Sequence, residues 1–358
     1  MSDSTKTINR AQIIDWLTCS DPVRLQELWQ MADETRRRTV GDEIHLRGLV
    51  EVSNHCDRNC LYCGIRAQNI KIQRYRLARE EILDCARQAL HFGFGTLVLQ
   101  AGEDRGLDGG WMAETIRQIK QETSLAITLS LGERDLDDYR QWREAGADRS
   151  LLRFETGRRD LYERIHPPLA GVKTDRLAML KEMRNLGYEI GSGVMIGIPG
   201  QTYQDLADDI LTFRTLDLDM IGVGPYIPHP GTPLADLGQQ WAAPGGEQVP
   251  ATLDMGYRVL ALARLVCPMA NIPSTTALAT LDGPTGREMG LRRGANIIMP
   301  NLTPKKYRQM YEIYPSKAAS TENAEESCAK AFRQIEALGR IIGRGRGDSP
   351  NLSKTCQL

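Results

Sequence analysis

Three thiols in the run Cys56-Asp57-Arg58-Asn59-Cys60-Leu61-Tyr62-Cys63 carry the strongest chemical signal in the chain. At spacings of four and three residues they can meet on one small metal assembly. Soft thiolates on a short loop suit zinc or iron–sulfur chemistry. No nearby fourth cysteine or histidine pair completes a four-ligand site, and His55, adjacent to Cys56, points in a different direction from it. A [4Fe–4S] cube held by three cysteines leaves one iron without a protein ligand, a position where a small molecule can coordinate and react. The competing readings are a zinc site and three cysteines that only pack.

Such a loop must be held by a larger frame. The 358 residues suit one α/β barrel with short extensions better than two domains. Forty-five Lys and Arg against 46 Asp and Glu give a net charge of −1, which exerts no general pull on nucleic acid or an anionic membrane. No apolar run approaches the roughly 20 residues of a membrane span, and the first twenty residues are polar and mixed in charge, so the expectation is a cytoplasmic protein. The other cysteines, Cys19, Cys85, Cys267, Cys328 and Cys356, are scattered, which reads as a reducing compartment with ordinary packing roles.

Residues 1–8 read as disordered, followed by helices over Asn9–Thr18 and Asp21–Arg38 that form a lid on the barrel's bottom or side. The rhythm then alternates. Strands are expected at 44–53, 96–100, 125–131, 149–155, 189–198, 220–226, 271–278 and 296–299, with helices at 79–91, 111–122, 135–144, 160–165, 174–186, 203–216, 252–266 and 286–293. Eight strands alternating with helices predict a closed (β/α)8 barrel of the TIM type, with an N-terminal helical extension over 1–40, the barrel over 41–302, and a helical extension and flexible tail over 303–358. A partly closed barrel of six units is the alternative.

The active site of such a barrel lies at the C-terminal ends of its strands. The cysteine loop follows strand one and falls there directly. Other strand ends bring Gln100, Glu103 and Asp104; Thr128, Ser130 and Glu133; Arg153 and Glu155; Met195; Tyr226; Thr275 and Thr276; and Met299. Arg153 and Glu155 alternate around Phe154, so both face one side of a strand, where they suit either a doubly charged ligand or an internal salt bridge. Arg176, early in a helix, suits a carboxylate or solvent. Arg47, among apolar neighbours in strand one, calls for an anionic ligand or an internal carboxylate. Thr275, Thr276, Tyr311 and Tyr314 can hydrogen-bond a polar substrate or serve caps and core. The glycines of 191–200 suit close approach of backbone to a ligand or turn packing, and lack dinucleotide-fingerprint geometry. The run Gly343-Arg344-Gly345-Arg346-Gly347 is too short for an RNA-binding segment and reads as flexible.

The CxxxCxxC motif, with Tyr62 before its last cysteine, resembles the radical S-adenosylmethionine (SAM) superfamily. Further segments resemble one family within it, the [FeFe]-hydrogenase maturase HydE. They include Val40–Arg47, Leu99–Asp104, Thr128–Glu133, Gly222–Pro230, Ile272–Ala277 and Ala295–Asn301, and the likeness spans roughly residues 25–340. The resemblance implies a closed barrel around a cavity and a [4Fe–4S] cluster on Cys56, Cys60 and Cys63, whose open iron is chelated by SAM. It implies reductive cleavage of SAM to a 5′-deoxyadenosyl radical, and a role in building the diiron subcluster of [FeFe]-hydrogenase. The substrate it implies is an iron-bound cysteine complex with carbon monoxide and cyanide, whose sulfur the radical attacks. Other maturases and a low-potential electron donor are the implied partners. By position, Tyr62, Ser130, Glu155, Arg176 and Met195 would contact SAM. Arg47, Gln100, Thr128, Arg153, Thr275, Thr276, Met299, Tyr311 and Tyr314 would line the substrate cavity.

One departure stands out. Some relatives carry a second cluster on three C-terminal cysteines, whereas the segment 318–332 has only Cys328, so no second cluster is expected. Alternatives are a methylornithine-synthase-like or biotin-synthase-like enzyme acting on a small amino-acid-type substrate, and a non-catalytic iron–sulfur scaffold.

Overall fold

The computed structural model describes residues 8–171 and 175–351. The expected disorder of residues 1–7, the helix start at Thr174 and the role of Cys356 lie outside them.

Eleven residues, Glu43–Ser53, form the first strand, and all but Glu43 and His45 are buried. Burial on both faces is what a parallel strand between a core and a ring of helices requires, and it explains the nearly continuous apolar run Leu46–Val52, broken only by Arg47, Gly48 and Glu51. Five parallel neighbours follow in register: Thr96–Ala101, Ala126–Ser130, Arg149–Leu151, Glu189–Ser192 and Met220–Ile221. The fifth and sixth strands continue past a break as Met195–Ile196 and Gly224–Pro225, which pair with each other. At the break a Cβ on Gly193 would stand 1.8 Å from the carbonyl oxygen of Gly222, so this glycine serves contact between strands.

The ring closes through a thinner seam. Met220 bridges Asn271, Pro273 bridges Ile297, and the last strand, Ile297–Ile298, pairs with His45 and Leu46 of the first. The result is the closed (β/α)8 barrel expected from the alternating pattern. The expected strand over 149–155 ends at Leu151, so Arg153 and Glu155 stand in the turn after it and not on one strand face, and one further element changes type. The strand over 271–278 ends at the Pro273 bridge, and Thr276–Leu291 is helical with a kink at Asp282 and Gly283. Ser274 Oγ donates to the Arg287 carbonyl at 2.8 Å, and Thr275 takes the N-cap position, so the β-branched pair opens a helix.

The N-terminal helices, Arg10–Thr18 and Pro22–Val40, pack on the side of the barrel against Tyr203–Thr215 and Leu253–Val266. Each has its own start signal: Asn9 and Gln12 form a reciprocal capping box, and the Asp21 carboxylate accepts from the Val23 amide ahead of Pro22 in the first turn. The C-terminal helix, Ala324–Ala337, leads to a short strand, Ile341–Gly343, that pairs with Glu43–His45. Beyond it the tail differs from the flexible segment expected. Residues Gly343–Ser349 run beneath the barrel, tied to its lower rim by side-chain hydrogen bonds.

Candidate active site at the barrel mouth

The loop after strand one is pinned along its length. Asp57 N donates to the Glu103 carbonyl at 2.9 Å, Leu61 N to Ile165 at 2.8 Å, Gly64 N to Ile313 at 2.9 Å and Ala67 N to Arg58 at 2.8 Å. The Arg74 guanidinium gathers the Ile65 and Arg66 carbonyls, each at 2.7 Å. A loop with this many fixed backbone groups can hold three side chains in a set arrangement without a regular element.

Cys56, Cys60 and Cys63 all face a cavity of about 230 Å³ at the strand ends. Burial pushes all three thiols up, Cys63 to about 12. Thiols in such a setting are weak acids until a metal supplies compensating positive charge. The donor set is three thiols with no fourth cysteine among the lining residues, which fits a cluster with one open iron.

Around this mouth lie the other groups expected there. Tyr62, Ser130, Glu155, Arg176, Met195 and Tyr311 line the same cavity. A second cavity, of about 150 Å³, continues into the barrel, sharing Gln100, Ser130, Arg153 and Tyr314 with the first. Arg47, Thr128, Thr275, Thr276 and Met299 line its lower part. The structure thus brings every expected site residue to two adjoining cavities that share these walls. Thr128 Oγ1, Arg153 Nε, Arg47 Nε and Tyr226 Oη are buried on its walls without a hydrogen-bond partner, which marks polar capacity that the chain itself does not use.

Glu155 sits in left-handed backbone, φ +61°, an unfavourable conformation for a residue with a Cβ. The surroundings hold it there: its N–H donates to Gly193 at 3.1 Å and its carbonyl accepts from Met195 at 3.0 Å. Its carboxylate pairs with Arg153 at 2.9 Å. The internal salt bridge and a cavity-facing placement therefore coexist.

Behind the cysteines lies a buried charge cluster that sequence reasoning did not assemble. Arg58, between Cys56 and Cys60, pairs with Glu103 and, at 3.0 Å, with Glu133. Arg176 meets Glu133 at 2.7 Å, the Arg153 carbonyl at 2.7 Å and His166 Nε2 at 2.7 Å. Its guanidinium is spent on the protein, so Arg176 acts chiefly as the keystone between the mouth and the Arg153–Glu155 turn. Burial works against its charge, but Tyr162, Glu133, Tyr62 and Glu103 outweigh that and raise its pKa well above the ordinary value. Burial, with Arg176 and Arg58 beside it, lowers His166 to about 2, so the imidazole is neutral. Glu103, Glu133 and His166 have ligand atoms within 4.8 Å of one another, but the two guanidiniums already fill the role of the cation. Glu103 and Glu133 were visible as strand-end carboxylates. Arg58 and His166 had only position as a signal: one inside the cluster loop, the other at a His-Pro step after a helix.

A second support lies beneath Glu155. Asp209, 1% exposed, accepts from Gly157 N at 2.6 Å and from Gln201 Nε2 at 3.4 Å. Gln201 in turn donates to the Met195 carbonyl at 3.2 Å and accepts from Gly197 N at 2.8 Å. The pair ties the segment after Glu155 to the segment carrying Met195. Burial pushes the Asp209 carboxyl up to about 7.

Deeper in the barrel Lys317 is paired with Glu51, donates to the Tyr311 carbonyl at 3.0 Å and lies over the Tyr311 ring. Asn301 Nδ2 donates to the other Glu51 oxygen at 3.2 Å. This fixes the Tyr311–Tyr314 turn against the cavity wall.

Among known proteins, the Radical SAM superfamily model matches residues 50–212. The chain is 42% identical over 350 residues, 98% of its length and 96% of the other's, to the [FeFe] hydrogenase maturase subunit HydE of Thermotoga maritima. It is 27% identical over 338 residues to 3-methylornithine synthase of Methanosarcina acetivorans, covering 93% and 88% of the two chains. Among solved structures, methylornithine synthase superposes with a TM-score of 0.81 at 24% identity, covering 94% of this chain and 95% of that one. The maturase HydG from Carboxydothermus hydrogenoformans superposes with a TM-score of 0.76 at 20% identity, covering 95% and 77%. These two superpositions bear on the fold alone. With its cysteine loop at the barrel mouth and this extent of identity, the chain belongs to the HydE family of radical SAM enzymes.

Proposed function

We propose that this enzyme cleaves SAM reductively at a [4Fe–4S] cluster held by Cys56, Cys60 and Cys63, and acts in assembly of the diiron subcluster of [FeFe]-hydrogenase. Its substrate would be an iron–cysteine complex carrying carbon monoxide and cyanide, supplied by another maturase, with a low-potential protein as electron donor. When bound, a cluster with an open iron holds SAM and supplies the electron that splits a carbon–sulfur bond, leaving methionine and a 5′-deoxyadenosyl radical.

The observation that carries the proposal is the pair of adjoining cavities, one walled by the three thiols and the next reaching Arg47, with Gln100, Ser130, Arg153 and Tyr314 in common. Tyr62, Ser130 and Met195 bound the upper chamber, where a nucleoside and a methionine chain would lie. Glu155 offers a carboxylate to an ammonium, fixed by the backbone of Gly193 and Met195. Arg176 holds that turn in place through the Arg153 carbonyl. Below, Arg47, Arg153, Thr128, Thr275 and Thr276 offer donors to an anionic complex, and the apolar parts of Leu49, Val98 and Met299 exclude water from it. A single cluster is proposed: within 318–332 only Cys328 is present, and it is buried in the helix Ala324–Ala337.

A second reading, an enzyme acting on a small amino-acid-type substrate as the relative named 3-methylornithine synthase suggests, draws on the 27% identity and on the same arginine and threonines. The test is anaerobic reconstitution with iron and sulfide, followed by reduction with SAM in the presence and absence of a synthetic iron–cysteine dicarbonyl cyanide complex. Formation of 5′-deoxyadenosine or an adenosylated product with consumption of the complex supports the maturase reading. Cluster formation with intact SAM under strong reductant would favour a scaffold, and formation of 3-methylornithine from a small amino acid, with the complex left intact, the second reading. Cys328→Ala should leave four irons per chain, as a single [4Fe–4S] cluster requires.

A further inference from the structure

The glycine–arginine run near the C-terminus does structural work directly under the substrate cavity. The Gly347 carbonyl accepts from Arg47 Nη2 at 3.0 Å and from Asn271 Nδ2 at 3.1 Å, and both donors line the lower cavity. The Arg346 carbonyl accepts from Thr96 Oγ1 at 2.7 Å and Arg149 Nη2 at 3.0 Å. Asp348 pairs with Arg149, and Ser349 N donates to Glu189 at 3.0 Å. One short segment thus ties together side chains from five of the eight strand positions.

The glycines are what let it lie so close. Gly347 has φ +57°, and a Cβ there would stand 2.8 Å from His45 Cγ. A Cβ on Gly95 would stand 1.6 Å from the Gly345 carbonyl oxygen, so backbone meets backbone without room for a side chain.

The charges are distributed unevenly. Arg149 is balanced by Glu189 at 3.1 Å and by Asp348. Arg47, 3% exposed, has no carboxylate within ion-pair distance among the described residues, and its Nε has no partner. Its tie to the tail is a neutral carbonyl, which orients a guanidinium without cancelling its charge.

We propose that Gly343–Ser349 is the floor of the substrate site, with Gly347 as a positioning residue whose carbonyl sets Arg47 and Asn271 so that the guanidinium faces the anionic end of a small substrate. In taking that substrate as an anionic iron complex the inference rests on the function proposed above. The floor assignment also requires the segment to close the lower end of the cavity.

The test compares the reconstituted full chain, Gly347→Ala and a chain ending at Gly345, with the synthetic iron–cysteine dicarbonyl cyanide complex as substrate. For Gly347→Ala the KM for the complex should rise roughly tenfold, the size of one charge-assisted hydrogen bond, with kcat changed by no more than about twofold. A merely structural role would lower the active fraction, and so kcat, at constant KM; an unchanged KM overturns the proposal. A second readout needs no substrate. In a Met220→Cys background, alkylation of position 220 by iodoacetamide, followed peptide by peptide, should be at least about tenfold faster once residues 346–358 are removed, because that sulfur lies against Arg47 on the cavity floor. Unchanged alkylation overturns the floor assignment. Should the full chain fail to turn over the complex, the proposed substrate falls, while the alkylation comparison still decides the floor.

Discussion

The two ends of the barrel are built on opposite principles. At the lower rim nearly every charge is spent on the chain: Arg149 on Glu189 and Asp348, Arg346 on Asp148 and Asp348, and two tail carbonyls on four donors. At the mouth, polar atoms of Tyr226 and Arg58 remain unsatisfied, three thiols share one wall, and Glu155 is held in unfavourable backbone. A rim whose charges are mostly paired, with Arg47 the exception, gains rigidity; a rim with bonds left open keeps binding capacity and depends on surrounding structure to hold it in shape. Here that structure is the buried Arg58, Arg176, Glu103, Glu133 and His166 cluster, placed directly behind the thiols.

Three changes would break or sharpen this contrast. The largest is Cys60→Ala, which should abolish iron–sulfur binding while leaving far-ultraviolet circular dichroism unchanged, since the loop is pinned by backbone bonds; loss of folding would mean the thiol is part of the core. Next is Arg176→Ala. It leaves Glu133 without one of its two cationic partners in a buried setting and should destabilise the chain by about 3–5 kcal/mol in urea unfolding. A loss under about 1 kcal/mol would show the cluster to be an exposed network in solution.

The smallest concerns Asp209→Asn. The folded carboxyl titrates near 7 against 3.8 for the ordinary group, so the folded state binds the extra proton between those values. The group's contribution to stability is therefore complete below about pH 4 and lost as pH rises towards 7, by up to about 4 kcal/mol. Urea unfolding from pH 5 to 8 should show that decline in the native chain and a flatter profile in the variant. Parallel profiles would place Asp209 outside the titrating set.

What the sequence made legible was whatever is written in local spacing. CxxxCxxC, the alternation of strand and helix, and the polar residues at strand ends led directly to the cavity walls, because a barrel converts the end of each strand into a place at the mouth. The rest depended on long-range pairing. Arg58 and Arg176 are 118 positions apart and share Glu133, which no local pattern records. Thr275 and Thr276 look like strand residues by β-branching, yet a cap and a helix claim them. The tail misled for a compositional reason: glycine and arginine together signal flexibility in isolation, whereas here glycine permits contact with Gly95 and His45 and arginine finds Asp148.

The seam at the seventh strand position has a consequence for how the barrel breathes. Elsewhere neighbouring strands are laced by runs of two to six paired residues, but Asn271–Pro273 is held by one bridge on each side. Amides there, among them Ile221, Asn271 and Ser274, should be the first of the barrel wall to exchange with solvent deuterium. Thr275 and Thr276 follow one residue later along the chain, so the cavity has one compliant panel in an otherwise stiff wall.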